Sequence, residues 1–182
     1  MGSTVVELGE GDPAPSSLSF ITALAVEQSV LALVGNRGEV KVKWPNDVLL
    51  DGGKVSGILL ELVDRNVVIG IGVNIAKAPS LPDRKTSAIA DYVQKCTPEV
   101  MLASLATEME RLLTLWRSQP LSAFLAVFEE RSVHSLSSPI TAHDTDGSVV
   151  NGTYAGLDPT DGALRLRLAD GSERVIRAGD IS

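Results

Sequence analysis

The spacing of apolar residues in the first part of the chain predicts a strand and then a long helix. A short apolar run indicates a strand over Thr4 to Leu8, and the turn-forming stretch 9–15 follows it. Apolar residues then recur every three or four positions, which is typical of a helix. We expect this helix to start at Ser16 or Ser17, either of which can cap it, and to end at Gly35. Its apolar positions are Leu18, Ile21, Leu24, Ala25, Val26, Val30, Leu31 and Val34.

From Glu39 onward the apolar spacing changes to two, which predicts strands. Val40 and Val42 alternate with charged residues up to the sequence Trp44-Pro45-Asn46-Asp47, where proline interrupts the pairing of a strand. Three further apolar runs are separated by short turn sequences, so we expect an antiparallel meander. These runs cover residues 48–50, 54–63 and 67–75.

The middle of the chain has helical spacing. A loop over residues 76–90 leads to a short helix near Ile89 to Lys95. Thr97-Pro98-Glu99 combines a capping residue, a first-turn proline and an acidic residue, so it predicts the start of a long helix. Gln119-Pro120 then separates this helix from a second one.

After Ser135 the pattern becomes short alternating runs separated by Asp-Gly turns, which predicts a small β-barrel. The runs cover residues 140–142, 149–157, 163–168 and 174–176. We therefore predict an α+β fold in which residues 1–136 form a mixed, largely antiparallel sheet with helices on one side. Residues 137–182 are predicted to form a separate β-barrel domain.

Composition narrows the classes of function. The chain has 182 residues, 44% of them hydrophobic, and a formal net charge of -7. This acidic balance argues against binding to nucleic acid, which needs clustered cations. With Cys96 as the single cysteine and two histidines, the chain lacks the residues for an intrachain disulfide or a Cys/His zinc site. We find no secretory signal and no apolar run near the 18 to 20 residues of a membrane span, so we expect a cytoplasmic protein without a membrane partner.

Three short motifs on the predicted meander could carry chemistry: residues 43–47, Lys54 with Gly57, and Gly70 to Asn74. Each has a structural alternative when taken alone. The first could be a simple turn, the lysine a solvated strand residue, and the Gly-x-Gly a kink in a curved sheet. The Gly-x-Gly lacks the third glycine of a dinucleotide-binding fingerprint. However, Lys54 precedes a nearly continuous apolar strand, where its ammonium could hold an anionic group.

In combination and in this order, these motifs resemble those of the biotin protein ligases. The matching segments are Val42 to Val48, Gly53 to Glu61 and Val68 to Asn74. The tail sequences Gly152 to Asp158 and Ala178 to Asp180 are similar to the SH3-like C-terminal domain of the same family. The resemblance implies a biotin/lipoate ligase-like fold followed by a small SH3-like β-barrel. The shorter acyl ligand, biotin, is favoured over lipoate by the Trp-Pro-Asn-Asp and Lys-x-x-Gly-Ile-Leu motifs.

The family resemblance implies a two-step reaction. Biotin and MgATP give biotinyl-5'-AMP and pyrophosphate, and a lysine of a biotin carboxyl carrier domain then takes the biotin. Lys54 is the implied catalytic residue, between the biotin carboxylate and the α-phosphate, and Asp47 is implied near Mg²⁺. The residues implied to bind biotin are Lys54, Gly57, Ile58, Leu59 and Gly70. Those implied to bind ATP or the adenylate are Trp44, Asn46, Asp47, Gly72 and Asn74.

One feature of the family is absent from these residues, namely the phosphate loop of the form Gly-Arg-Gly-Arg-x-Gly-Arg. The N-terminal portion of the catalytic core is therefore expected to be missing, and adenylation by this chain alone to be impaired. The chain could be a fragment of an ordinary ligase, a ligase in name that cannot work alone, or a short relative that binds without catalysis. A non-catalytic module that binds biotin, nucleotide or a partner is the alternative function. We expect an exposed sheet edge near the start of the chain, and such an edge can pair with a second copy to form a homodimer.

Overall fold

The computed structural model describes residues 1–82, 84–144 and 147–182, without the side chain of Asp144. Asp146 of the predicted Asp146-Gly147 turn lies outside the described residues. The strands of the first sheet are β1 Gly2–Glu7, β2 Val40–Lys43, β3 Asp47–Leu50, β4 Gly53–Val63 and β5 Asn66–Val73. The helices are α1 Leu18–Val34, α2 Pro98–Trp116 and α3 Leu121–Glu130. The strands of the second sheet are β6 Pro139–Asp144, β7 Val149–Leu157, β8 Leu164–Arg167, β9 Glu173–Ile176 and β10 Gly179–Ile181.

The first sheet has the strand order β1-β5-β4-β3-β2, and its neighbouring strands are all antiparallel. The predicted meander and the edge position of β1 are therefore confirmed. The expectation of a mixed sheet is corrected, because parallel pairing occurs in the described residues only as two isolated bridges. These join Val42 to Ser132 and Lys54 to Thr86.

Helix α1 forms the centre of the core. Twelve of its seventeen residues are buried, and it packs against α2, α3 and the strands β2, β3 and β4. The segment Pro15–Arg37 has the length and apolar composition of a membrane-spanning helix, contrary to the sequence expectation. Its most apolar window is 67% buried within the protein, as in the core helix of a globular fold.

The start of α1 differs from the prediction. The hydroxyl of Ser17 makes no capping bond; it donates to the Ala14 carbonyl and accepts from the indole nitrogen of Trp116. The end of the helix is as expected, because Gly35 adopts a φ of 56°. The cap at α2 is also confirmed, since the hydroxyl of Thr97 accepts from the Val100 amide.

Two other elements differ in extent. The short helix expected near residues 89–95 is a single 3-10 turn over Ile89–Asp91. In the C-terminal part the sequence analysis missed β10, a strand too short to show alternation. The order of that antiparallel sheet is β10-β6-β7-β8-β9, and the described pairings do not include a closure of its outer strands into a barrel.

The two sheets are joined by direct contacts. The indole nitrogen of Trp44 donates to the Gly162 carbonyl at 3.0 Å, and Glu129 on α3 accepts from the hydroxyl of Tyr154 at 3.1 Å. Lys43 lies 3.4 Å from Asp180 on β10. The C-terminal part of the chain thus contacts β2, the loop that follows β2, and helix α3.

Candidate functional site

A cavity of about 510 Å³ lies against β4 and β5, and Pro79, Leu81, Arg84 and Thr86 also line it. It contains eight of the ten predicted site residues, which the sequence places on three separate motifs. The eight are Asn46, Lys54, Gly57, Ile58, Leu59, Gly70, Gly72 and Asn74. Trp44 and Asp47 do not line this cavity. The antiparallel meander explains the assembly, because β3, β4 and β5 are neighbours and bring the three motifs side by side.

Lys54 and Asp47 form an ion pair at this cavity. Residues Asp51 and Gly52, both with positive φ, turn the chain tightly between β3 and β4. Pairing of the two strands sets Asp47 opposite Gly57, and the Lys54 ammonium lies 2.5 Å from Oδ1 of Asp47. The aspartate side chain is 9% exposed and the lysine side chain 31% exposed. The carboxylate therefore fixes the ammonium while leaving part of it accessible from the cavity.

Glycines make room for this ion pair. A Cβ on Gly57 would lie 3.1 Å from both Cε and Nζ of Lys54 and 3.5 Å from Oδ1 of Asp47. Gly57 is paired with Gly72 on β5, so two residues without side chains face each other across the strands. In this glycine strip the Lys54 side chain occupies the space over Gly57, whereas a Cβ on Gly72 would meet nothing closer than 3.8 Å, so a ligand can approach the backbone there.

The two asparagines support the backbone around the cavity. The side-chain amide of Asn46 donates to the Ile58 carbonyl at 2.8 Å, and the Ile58 amide donates to the Asn46 carbonyl at 3.0 Å. The amide of Asn74 donates to the carbonyls of Lys54 and Ser87 at 3.1 and 3.2 Å. Both asparagines therefore have a positioning role in the structure, and their predicted contacts with the nucleotide stay predictions.

Trp44 lies outside the lining of the Lys54 cavity, and its predicted contact with the nucleotide stays a prediction. It is 3% exposed and lines a second cavity of about 450 Å³ between α1, β4 and the β7–β8 connection. Its partner there is the Gly162 carbonyl, so the indole contacts the C-terminal sheet. The two cavities share Asn46, Ile58 and Leu59, which separate them.

The sequence analysis missed the contribution of the segment after β5 to the cavity. Arg84 and Thr86 line it, and Thr86 bridges to Lys54 while the Lys54 amide donates to the Lys85 carbonyl at 2.9 Å. The hydroxyl of Ser87 donates to the Leu50 carbonyl at 2.8 Å. In sequence, Lys85 to Ile89 is loosely similar to a loop of the biotin protein ligases, but this similarity does not indicate where the segment lies.

Among the described residues, the site has too few ligand side chains to hold a metal ion without other ligands. Among the described residues there is no group of three or more histidine, cysteine or acidic side chains suited to a metal. Asp47 is a single carboxylate and is already paired with Lys54. These residues fit a Mg²⁺ ion that is held chiefly by nucleotide phosphates, with one protein carboxylate nearby.

Two titratable groups at the boundary between the sheets have shifted pKa values. Burial alone would raise the pKa of Asp180, but Lys43, the hydrogen bond from the Ile181 amide and Arg84 together outweigh it, so the pKa lies below its usual value. Burial lowers the pKa of His134, and the nearby Lys43 lowers it further. The boundary therefore favours an ionised Asp180 and a neutral His134 near pH 7.

The family models that match this chain describe protein ligases of biotin and lipoate. Residues 8–75 match the Biotin/lipoate A/B protein ligase family, and residues 137–182 match the Biotin protein ligase C terminal domain. A biotin–[acetyl-CoA-carboxylase] ligase of Paracoccus denitrificans is 35% identical, and the alignment covers 99% of this chain and 78% of that protein. The chain therefore belongs to the biotin protein ligase family.

Further comparisons agree with this assignment. A biotin–[acetyl-CoA-carboxylase] ligase of Mycobacterium tuberculosis is 34% identical over 90% of this chain, which spans 61% of that relative. A biotin protein ligase of Aquifex aeolicus, solved in complex with biotin and ATP, superposes with a TM-score of 0.81 at 20% identity. That superposition covers 99% of this chain and 75% of the Aquifex protein, and it confirms the predicted fold class.

Proposed function

We propose that this chain carries the adenylation site of a biotin protein ligase. The observation that carries the proposal is the Lys54–Asp47 ion pair beside the glycine strip of Gly57 and Gly72. It supplies a fixed cation next to backbone that a ligand can approach closely. The substrates are biotin, ATP with Mg²⁺, and a lysine of a biotin carboxyl carrier domain. An ATP-consuming reaction also fits the cytoplasmic location that the sequence analysis expects.

In the first step a carboxylate oxygen of biotin attacks the α-phosphorus of ATP. The bond from that phosphorus to the bridging oxygen of the β-phosphate breaks, and pyrophosphate leaves. Both reacting groups are anionic, so a cation between them lowers the barrier. Lys54 provides that cation, and Asp47 holds its ammonium in place. Ile58 and Leu59 provide apolar surface for the rings and tail of biotin.

In the second step the amine of the carrier lysine attacks the acyl carbon of biotinyl-5'-AMP. The bond from that carbon to the phosphate oxygen breaks, AMP leaves, and the amine loses a proton to solvent. Lys54 can stabilise the negative charge on the departing phosphate. The same residue thus serves both steps.

The test is biotin-dependent exchange between ATP and pyrophosphate, measured with the unaltered chain and with Lys54→Ala. We expect exchange that falls by about 100-fold or more in the variant, which is the usual effect of removing a charge-stabilising group. Lys41→Ala is the matched control, because Lys41 also lies on a strand, is 34% exposed and pairs with an acidic residue, Glu39. Exchange unaffected by Lys54→Ala would refute the assigned role.

A non-catalytic binding module is the second candidate. Titration of the unaltered chain with biotinyl-5'-AMP separates the two candidates when it accompanies the exchange assay. Binding without exchange supports the module, whereas binding with exchange supports the ligase.

A further inference from the structure

Strand β4 contains one residue more than the neighbouring part of β3. Ser56 is paired with Val48. The next pair is Lys54 with Leu49, so Val55 has no partner on β3. An extra residue of this kind is a β-bulge, and it shifts the alternation of faces along the strand by one position. Accordingly, Val55 and Ser56 are adjacent in sequence and are both buried, at 0% and 2% exposure.

The bulge decides the face of the sheet on which Lys54 lies. In a strand without a bulge, side chains two positions apart share a face, so Lys54 would lie with Ser56 on the buried face. With the bulge it lies over Gly57, where its ammonium contacts Oδ1 of Asp47 at 2.5 Å. Asp47 is itself paired with Gly57. Removal of the extra residue would therefore direct the lysine side chain towards the core.

The segment that follows β5 fixes the backbone of Lys54. The Lys54 amide donates to the Lys85 carbonyl at 2.9 Å, and its carbonyl accepts from the Ser87 amide at 3.1 Å. The side-chain amide of Asn74 donates to the carbonyls of Lys54 and Ser87 at 3.1 and 3.2 Å. The backbone amide of Asn74 donates to the Val55 carbonyl at 2.8 Å. Hydrogen bonds therefore hold both the bulge and the lysine before it.

The side chain of Ser87 holds this segment against the start of β4. It is 5% exposed, and its hydroxyl donates to the Leu50 carbonyl at 2.8 Å. A Cβ on Gly53, the residue before Lys54, would lie 2.1 Å from the Ser87 hydroxyl oxygen. The glycine thus leaves room for a buried hydroxyl directly beside the backbone of the lysine.

We infer that Ser87 is a positioning residue for adenylation and that it acts through Lys54, whose direction is set by the bulge at Val55. This inference rests on the proposed function, in which the ammonium lies between the biotin carboxylate and the α-phosphate. A misplacement of about 1 Å is enough to remove much of the effect of a catalytic group. The Ser87 hydroxyl bond keeps the segment, and with it the backbone of Lys54, in one place.

Competitive acetylation of the full chain, read by mass spectrometry, tests the position of Lys54 without requiring activity. For Ser87→Ala we expect acetylation of Lys54 to accelerate by about threefold or more relative to Lys41, because the ammonium is released from Asp47. Lys41 is the internal reference, since its side chain is 34% exposed and that of Lys54 31%. Ser29→Ala is the matched control, because it removes a buried hydroxyl bond of the same length, 2.8 Å, within α1. An unchanged ratio in Ser87→Ala would overturn the inference.

Biotin-dependent exchange between ATP and pyrophosphate tests the catalytic consequence. We expect Ser87→Ala to lower kcat by about 10-fold while KM for biotin and for ATP changes by less than about threefold. Adding Ser87→Ala to Lys54→Ala should cause no further loss, because Ser87 acts through that lysine. A further loss in the double variant would overturn the inference. Absence of exchange in the unaltered chain would refute the proposed adenylation instead, and the acetylation ratio would still test the position of Lys54.

Deletion of Val55 tests the bulge itself. Because the deletion should direct position 54 towards the core, Lys54→Leu in that background should raise the melting temperature by about 2 °C or more. In the unaltered chain the same substitution should lower it, because the Asp47 carboxylate, 9% exposed, loses its cation. A lower melting temperature in both backgrounds would overturn the role of the bulge.

Discussion

The position of Gly57 has no room for a side chain beside the Lys54–Asp47 ion pair. Its backbone lies under the lysine side chain, and any Cβ there would come within 3.1 Å of Cε and Nζ. The strand itself has no need of a glycine at this position, which is paired regularly with Gly72. The residue is therefore explained by the position of the lysine and not by backbone conformation.

We predict that Gly57→Ala lowers the rate of biotin-dependent exchange by about 10- to 100-fold, because a displaced ammonium no longer meets the reacting groups. Steady-state kinetics measures the exchange rate. A thermal melt checks that the variant is folded, because its melting temperature should change little. Gly9→Ala is the control, because a Cβ at Gly9 makes only ordinary contacts of 3.7 Å or more. A normal rate for Gly57→Ala would mean that Lys54 tolerates the displacement.

At the scale of single residues, the sequence indicated which residues are candidates for the site but not all of the contacts that they make. Lys54 and Gly57 were predicted from their motif, and the structure brings them into contact. The nucleotide contact that the resemblance implies for Trp44 stays a prediction, and the structure adds a bond from its indole nitrogen to the Gly162 carbonyl. A motif specifies which residues matter locally, but the partner of Trp44 lies 118 residues away along the chain and only folding brings it near.

Helix α1 shows how a buried element tolerates polar groups. Thr22 and Ser29 are both fully buried in it. The Ser29 hydroxyl donates to the Ala25 carbonyl at 2.8 Å, whereas the Thr22 hydroxyl has no hydrogen-bond partner among the described residues. A buried hydroxyl without a partner destabilises the fold, and a paired one does not.

We predict that Thr22→Val stabilises the protein by about 1 kcal/mol, because it removes an unpaired hydroxyl at nearly constant volume. Ser29→Ala should destabilise it by about 1 kcal/mol, because it removes a hydrogen bond from the same helix. Urea unfolding of both variants measures the free energies of unfolding. Changes of the same sign in the two variants would contradict this account.

At the scale of elements, apolar spacing predicted the helices and strands well. It predicted less well the extent of elements that form tertiary hydrogen bonds. The spacing of α2 and its cap at Thr97 were confirmed. The turn Ile89–Asp91 is shorter than predicted, and its first two amides, those of Ile89 and Ala90, donate to the Asn74 and Ile75 carbonyls just after β5. Those bonds are tertiary, so local spacing carries no sign of them.

The contact between the two sheets depends on Gly162. This residue has a φ of 75°, and a Cβ on it would overlap the ring of Phe20 on α1. Its carbonyl also accepts the Trp44 indole bond, which joins the C-terminal sheet to the loop before β3. Gly171 has a similar φ of 82° but nothing within 4 Å of a built Cβ.

We predict that Gly171→Ala costs about 1 to 2 kcal/mol of stability from the positive φ alone. Gly162→Ala should cost about 1 to 3 kcal/mol more, because the added methyl group must also displace Phe20. Calorimetric unfolding of both variants gives the difference, and hydrogen exchange at Trp44 should increase only in Gly162→Ala. Equal costs in the two variants would show that the close contact with Phe20 does not matter.

The sequence by itself determined most of the helices and strands of this protein and the family to which it belongs. Apolar spacing depends on neighbours within a few residues, and the three motifs on the meander are continuous segments, so both can be read along the chain. Tertiary structure alone decided that α1 is buried on nearly all sides, that Trp44 contacts Gly162, and that Arg84 shares a cavity with Lys54. These features depend on residues far apart in sequence, and their positions are set by strand pairing and by packing around α1.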